Sequence, residues 1–179
     1  MRPLLLGAVL LLGACSTSTT SRLKLPPLQT VEKVDLQRYL GTWYELASFP
    51  QGFQKGCTGS TANYALRDDG LITVVNRCRL DSLDGPEKVA EGLARVVDKE
   101  TNARLEVSFF RPFWGDYWVI QLDAEYRYAV VSHPGRDYLW ILSRTPSLDE
   151  ATWAGILEKL KADGLPLERL QRTPQPAAP

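Results

Sequence analysis

Hydrophobic and polar residues alternate along most of the chain, and turn-forming residues cut the alternation into short runs. Runs rich in β-branched and aromatic side chains occupy 43–49, 59–66, 71–78, 88–97, 104–110, 117–122, 126–132 and 138–144. Between them fall "RDDG" (67–70), "DSLDGPE" (81–87), "DKETN" (98–102), "RPFWGD" (111–116), "DAE" (123–125) and "HPGRD" (133–137). Strands at this spacing, half of them joined by connections short enough only for hairpins, predict an antiparallel sandwich or barrel. On the fifth run Leu105, Val107 and Phe109 share one face while Glu106 and Ser108 take the other, as an apolar interior and a wet exterior require. One segment has a different period. Trp153, Ile156, Leu157 and Leu160 recur at helical spacing after a Ser147/Glu150 capping box, and Gly164 and Pro166 follow. That pattern predicts a single helix packed on the outside of the sheet. A short final strand near 167–171 and a Pro-rich tail over 173–179 complete the expected order.

Simple up-and-down connection of eight strands assigns every loop to an end. With the start of the first strand at the bottom, loops 50–58, 81–87, 111–116 and 133–137 lie at the top, and 67–70, 98–102 and 123–125 at the bottom. The eighth strand then finishes at the bottom with Arg144, beside Gly41 and Trp43. A guanidinium over an indole contributes roughly 1–2 kcal/mol when partly desolvated. Eight strands enclose room for one small ligand above such a plug. The same count puts Cys57 and Cys78 on neighbouring strands at the top.

Charge and composition narrow the function. The 179 residues carry 21 basic and 21 acidic side chains, which gives no electrostatic case for nucleic acid as the partner. A single His argues against a multi-His metal site or a His-based triad. No G-x-S-x-G, G-x-G-x-x-G or P-loop is present, so neither catalysis nor a cofactor is expected. The lone His133 reads as a solvated turn residue. At the N-terminus Arg2 precedes "LLLGAVLLLGA", a stretch too short to span a bilayer, and "LGAC" follows at 12–15. This resembles a bacterial lipoprotein signal, in which residues 1–14 are removed and Cys15 is acylated; an ordinary signal peptide is the alternative. Ser16 after that Cys is the usual mark of passage to the outer membrane. Cys57 and Cys78 then remain as an even pair in an oxidising compartment. Their bridge would close a loop of about 20 residues and stabilise by roughly 3 kcal/mol. Residues 15–34 read as a flexible tether joined to the closed end of the barrel. Its r.m.s. span of roughly 25 Å would let the cup turn over.

From Asp35 to Arg172 the chain resembles the lipocalins, in particular the lipid-anchored bacterial branch related to apolipoprotein D. "DLQRYLGTWYELA" is similar to the first family signature, with Gly41 and Trp43 on its Gly-x-Trp. "LDAEYRYAVV" is similar to the second, placing Asp123 and Tyr126, and "DYLWILSRTP" to the third, placing Arg144. The resemblance implies an eight-stranded barrel that binds small apolar ligands, fatty acids or lysophospholipids, in the periplasm beneath the outer membrane. Leu105, Val107, Phe109, Tyr64 and Tyr117 are expected to line the cavity, with Phe53 at its lip. Glu45 shares the inward face of Trp43 and is expected to make a structural hydrogen bond low in the cup, a ligand head group being the alternative partner. Arg111 and Arg136 stand at the rim as candidates to meet a phosphate or carboxylate. Phe113 and Trp114 at the mouth are candidates for contact with a membrane, an entering ligand or a second copy in a homodimer. A lipid-modifying enzyme on the same barrel and a structural lipoprotein with a filled barrel are the two rival readings.

Overall fold

The computed structural model describes residues 25–177; the expected signal segment 1–14, Cys15 and the first part of the tether lie outside the described residues. The strands are β1 (Gly41–Ser48), β2 (Cys57–Leu66), β3 (Ile72–Leu80), β4 (Glu87–Val96), β5 (Arg104–Phe110), β6 (Phe113–Leu122), β7 (Tyr128–Ser132) and β8 (Leu139–Ser143). Each pairs antiparallel with the next, and β1 pairs with both β2 and β8. The sheet therefore closes into a barrel, and the loops fall at the ends that the up-and-down count requires. A short helix α1 (Leu36–Tyr39) precedes β1, a long helix α2 (Glu150–Ala162) follows β8, and β9 (Gln171–Arg172) ends the order.

Departures from the predicted elements have local causes. β6 begins at Phe113 because the hairpin with β5 extends to the Phe110–Phe113 pair. β7 starts at Tyr128 because Tyr126 sits in the turn at φ +59°, outside strand geometry. The helix cap is Asp149, whose carboxylate accepts from the Thr152 N–H, and the expected Ser147 box is not formed. The last strand is displaced to Gln171–Arg172 by a single 3-10 turn at Leu167–Arg169.

Alternation along the strands produces two cores. On β8, Trp140 and Leu142 face the barrel interior, while Leu139 and Ile141 lie outside beneath Ile156 and Leu160 of α2. The segment before α1 packs against both cores, Leu28 in the outer one and Val34 in the inner. Leu28 and Val34 are fully buried, the Val31 N–H donates to the Val119 carbonyl, and the Val34 N–H to that of Thr101. Residues 25–34, read from sequence as tether, are thus a packed strap. It rises from the closed end, where the Asp35 N–H meets the Tyr126 hydroxyl, to the open end, where the Pro26 carbonyl accepts from Arg136 and Leu25 lies over Gly164. Leu25, the first described residue, therefore lies at the open end, whereas the sequence joined the tether to the closed end.

The C-terminal residues also join the wall. β1 pairs with β2 only over Gly41–Tyr44. Above that the two strands part, and Gln171–Gln175 fills the gap. Arg172 and Gln171 pair with Ala47 and Ser48, the Thr173 N–H donates to the Leu46 carbonyl, and the Gly59 N–H to that of Pro174. The Gln175 side-chain amide bridges the carbonyls of Glu45 and Ser60. Ending the chain at Arg172 removes the bonds made by Thr173, Pro174 and Gln175, and the expected loss is about 2–4 kcal/mol in a urea unfolding curve. An unchanged midpoint would show that the tail contributes nothing to the closure.

Candidate functional site

The floor of the barrel is built around Trp43. The Asp35 carboxylate caps α1 by accepting from the N–H groups of Gln37 and Arg38, which turns the chain across the closed end. The Trp43 indole N–H donates to the Tyr39 carbonyl at 2.8 Å, and the Arg144 guanidinium carbon stands 3.7 Å from the indole centroid. Arg144 also donates to three carbonyls, those of Thr42, Arg38 and Leu40. Gly41 adopts φ +88°, a conformation that favours glycine, with Arg144 Nη1 in ordinary contact 3.6 Å from where a Cβ would sit. Asp123 holds the neighbouring turn, accepting from the N–H groups of Glu125 and Arg127 and from the Arg127 guanidinium, whose hydrogen bond pulls its pKa down. Tyr126 lies beneath Arg38, with the guanidinium carbon 4.2 Å from the ring centroid. The structure brings Gly41, Trp43, Asp123, Tyr126 and Arg144 to one end.

Three phenols meet immediately above. The Tyr117 hydroxyl lies 2.8 Å from that of Tyr39 and 2.9 Å from that of Tyr64. Burial raises all three pKa values, Tyr64 to about 12. The space left among them, lined also by Leu105 and Val107, is about 10 Å³, enough for one water at most. Tyr64, Tyr117 and Leu105 therefore pack the lower half of the barrel.

The upper half differs. Val74 pairs with Gly92 and faces inward, so Asn76 and Ala90, two residues further along, face inward as well. Ala90 is nonetheless exposed. Phe109 pairs the same wall: its ring carbons stand 2.8 Å from where a Cβ on Gly92 would sit, and the side chain is 44% exposed. Inward-facing residues that remain exposed mark an open lumen. Beside it, between the 50–57 loop and β9, lies a cleft of about 380 Å³ lined by Glu45, Ser48, Gln54, Lys55 and Thr173 among others. Glu45 faces inward, opposite Leu142, but its partners are in the top loop and the C-terminal tail, so it sits higher than expected. The Cys57–Cys78 disulfide is formed at this end, with Cα atoms 5.4 Å apart.

At the rim Phe53 is exposed, and its carbonyl accepts from Lys88. Phe113 is 70% exposed and stacks on Phe110. Trp114 does not reach the mouth; it is covered on the outer wall by Arg95, 4.3 Å from its centroid. Arg136 is engaged by the carbonyls of Asp163 and Pro26, so it clamps the strap and does not face a ligand. Arg111 is exposed. His133 accepts from the Gly135 N–H within its own turn. Gln54, Ser48 and Thr173, which hold the Glu45 carboxylate, were not anticipated, because Gln54 and Thr173 come from the top loop and the C-terminal tail, and Ser48 reaches the carboxylate only where β1 shifts register after Glu45.

Comparison with known proteins agrees with this architecture. A family profile described as a lipocalin-like domain matches residues 34–175. The chain is 42% identical over 171 residues to the outer membrane lipoprotein Blc of Escherichia coli K12, covering 96% of this chain and 94% of that one. It is 38% identical over 161 residues to temperature-induced lipocalin-1 of Arabidopsis thaliana, with 85% of each covered. Mouse apolipoprotein D is 35% identical over 164 residues, covering 86% of this chain and 82% of that one. Among solved structures, insecticyanin of Manduca sexta superposes with a TM-score of 0.67 at 20% identity, covering 86% of this chain and 87% of that one, a likeness of fold.

The tyrosine cluster generates a pH prediction. Its phenols have folded pKa values above the ordinary 10.0, so the neutral form is favoured in the folded state. The resulting stability is complete below the unfolded value and declines as pH rises from there through about 12 for Tyr64. A spectrophotometric titration should show these three phenols ionising only together with unfolding. Ionisation near pH 10 in a chain that stays folded would contradict their placement.

Proposed function

The chain belongs to the lipocalin family, and from that premise we propose that it holds single-chain lipids, fatty acids or lysophospholipids, in the upper half of its barrel while anchored through Cys15 to the outer membrane. Membership of the family makes it a binder of small hydrophobic molecules. The observation that carries the finer reading is the contrast between the two halves of the interior. The lower half is packed around Trp43 and three tyrosines. The upper half presents Ala90 and Phe109 inward yet leaves them exposed. A lumen closed below, open above and walled by apolar and small residues suits an acyl chain entering from the top. Transfer or storage of lipid follows from such a cup without any catalytic group.

The strap sets how the anchored protein hangs. Ten residues separate Cys15 from Leu25, an extended reach of about 35 Å. Because Leu25 lies at the open end, an anchor at Cys15 would keep the mouth within that distance of the membrane, and the long tether expected from sequence is not needed for the mouth to meet lipid.

The packed lower half also supports the rival reading of a filled, structural barrel, and one variant separates the two. Ala90→Trp places an indole in the upper lumen without disturbing the floor. Native mass spectrometry of the chain from Ser16 onward should show one acyl ligand per barrel in the parent. In the variant, acyl affinity should fall by about ten-fold or more, with the melting temperature within a few degrees. A parent that refuses fatty acids and lysophospholipids alike would leave the structural reading, and appearance of a cleaved lipid product would favour the enzyme.

A further inference from the structure

We infer that the rim of the open end docks on a lipid bilayer, with the hairpin tip between β5 and β6 seated among the head groups and upper acyl chains. This rests on the anchored reading above and goes beyond it, because it assigns the surface that makes the contact. Phe110 and Phe113 pair across the two-residue tip Arg111–Pro112. Their rings stack at 6.3 Å, and the two residues are 76% and 70% exposed. Phe53, in another top loop, is 60% exposed, and Lys88 steadies that loop by donating to the Phe53 carbonyl. Leu83 in the 81–87 loop is exposed as well, and so is Leu25 where the strap reaches this end. The closed end is the opposite. Its loops, 67–70, 98–102 and 123–125, hold only charged, polar or small residues, with Leu66 and Val97 exposed beside them. Exposed aromatic rings gathered at one end of a chain mark a contact with another apolar phase.

Position selects a bilayer over another protein. Leu25 lies at this end, and the ten residues that separate it from Cys15 can place a lipidated Cys15 no more than about 35 Å away. An anchor there holds the rim beside a membrane. The rings also border an opening. Phe109, next in the chain to Phe110, faces the lumen and is 44% exposed, so apolar surface runs from the tip into the cup. A second copy seated rim to rim would seal both lumens, whereas a leaflet seated there presents lipid to the mouth. The charges between the rings are of both signs, with Arg111 and Lys55 exposed beside Asp84 and Asp116. Such a rim gains little from an anionic surface; burial of the rings supplies the attraction, and salt screens little of it. A docked mouth lets an acyl chain pass from leaflet to lumen without crossing water.

Flotation of the chain from Ser16 onward with vesicles of dioleoylphosphatidylcholine tests the docking, with fatty-acid affinity measured in parallel. The parent should float with the vesicles, and raising the salt should leave its vesicle affinity within about two-fold. The double substitution F110S and F113S should weaken vesicle binding by about ten-fold or more while fatty-acid affinity stays at the parent's value. A second reading does not need the double variant. In F113W, phosphatidylcholine brominated on its acyl chains should quench the added indole beyond the quenching seen in the parent. A parent that stays unbound, or quenching no greater in F113W, overturns the docking and leaves the cup standing if fatty acid still binds. Binding lost at high salt assigns the contact to charges and overturns it as well. Self-association that F110S and F113S abolish, without vesicle binding, gives the rim to a second copy. Vesicle binding by a parent that takes up no acyl chain keeps the docking and overturns the lipid-holding reading.

Discussion

The contact of Arg144 with Trp43 is the constraint on which the rest of the barrel depends. Eight strands that twist and coil can close only if the first and last meet, and here they meet with the guanidinium carbon 3.7 Å from the indole centroid. The same guanidinium gathers the carbonyls of Arg38, Leu40 and Thr42, where α1 ends and β1 begins. Those of Arg38 and Leu40 are carbonyls that a short helix leaves at its C-terminal end, and the cation is suited to them both as a donor and as a charge. One side chain thereby satisfies the backbone of the closed end, covers the indole and ties β8 to the start of the barrel.

A floor held so firmly allows the other end to remain less filled. From the tyrosine cluster downward the interior is packed, and the polar atoms there find one another. From Ala90 and Phe109 upward the walls are held by the disulfide, the tail that fills the seam between β1 and β2, and the Glu45 bonds. Closure at the top is thus made by parts distant in sequence, whereas the floor is made by the strand ends themselves. The division suits a protein whose stability must not depend on whether its cup is occupied.

The sequence was most informative where topology and chemistry coincide. Up-and-down order alone returns Arg144 to Trp43 and Cys57 to Cys78, since antiparallel neighbours fix which end each loop occupies. It was least informative where a local pattern admits two structures. Residues 25–34 look like a tether because of Pro26 and Pro27, yet Leu28 packs into the outer core, and Val31 and Val34 pack against the inner one. Helix α1 is four residues long, too short to leave a periodic signal. Two of the three Glu45 partners lie 9 and 128 residues away, so only the folded chain shows what compensates that carboxylate. Period two put Phe109 on the inner face, but only the fold shows that its ring lies where a Cβ on residue 92 would sit, in the room that Gly92 leaves.

In the proposed function the floor supplies stability and the upper lumen holds the ligand. Parallel measurement of unfolding free energy and acyl-ligand affinity for Arg144→Ala tests that division most directly. Loss of the indole contact and of three carbonyl bonds should lower stability by about 2–3 kcal/mol, with ligand affinity within about two-fold of the parent. Ligand binding abolished in a variant of unchanged stability would contradict the division and place the Trp43–Arg144 pair in the binding site.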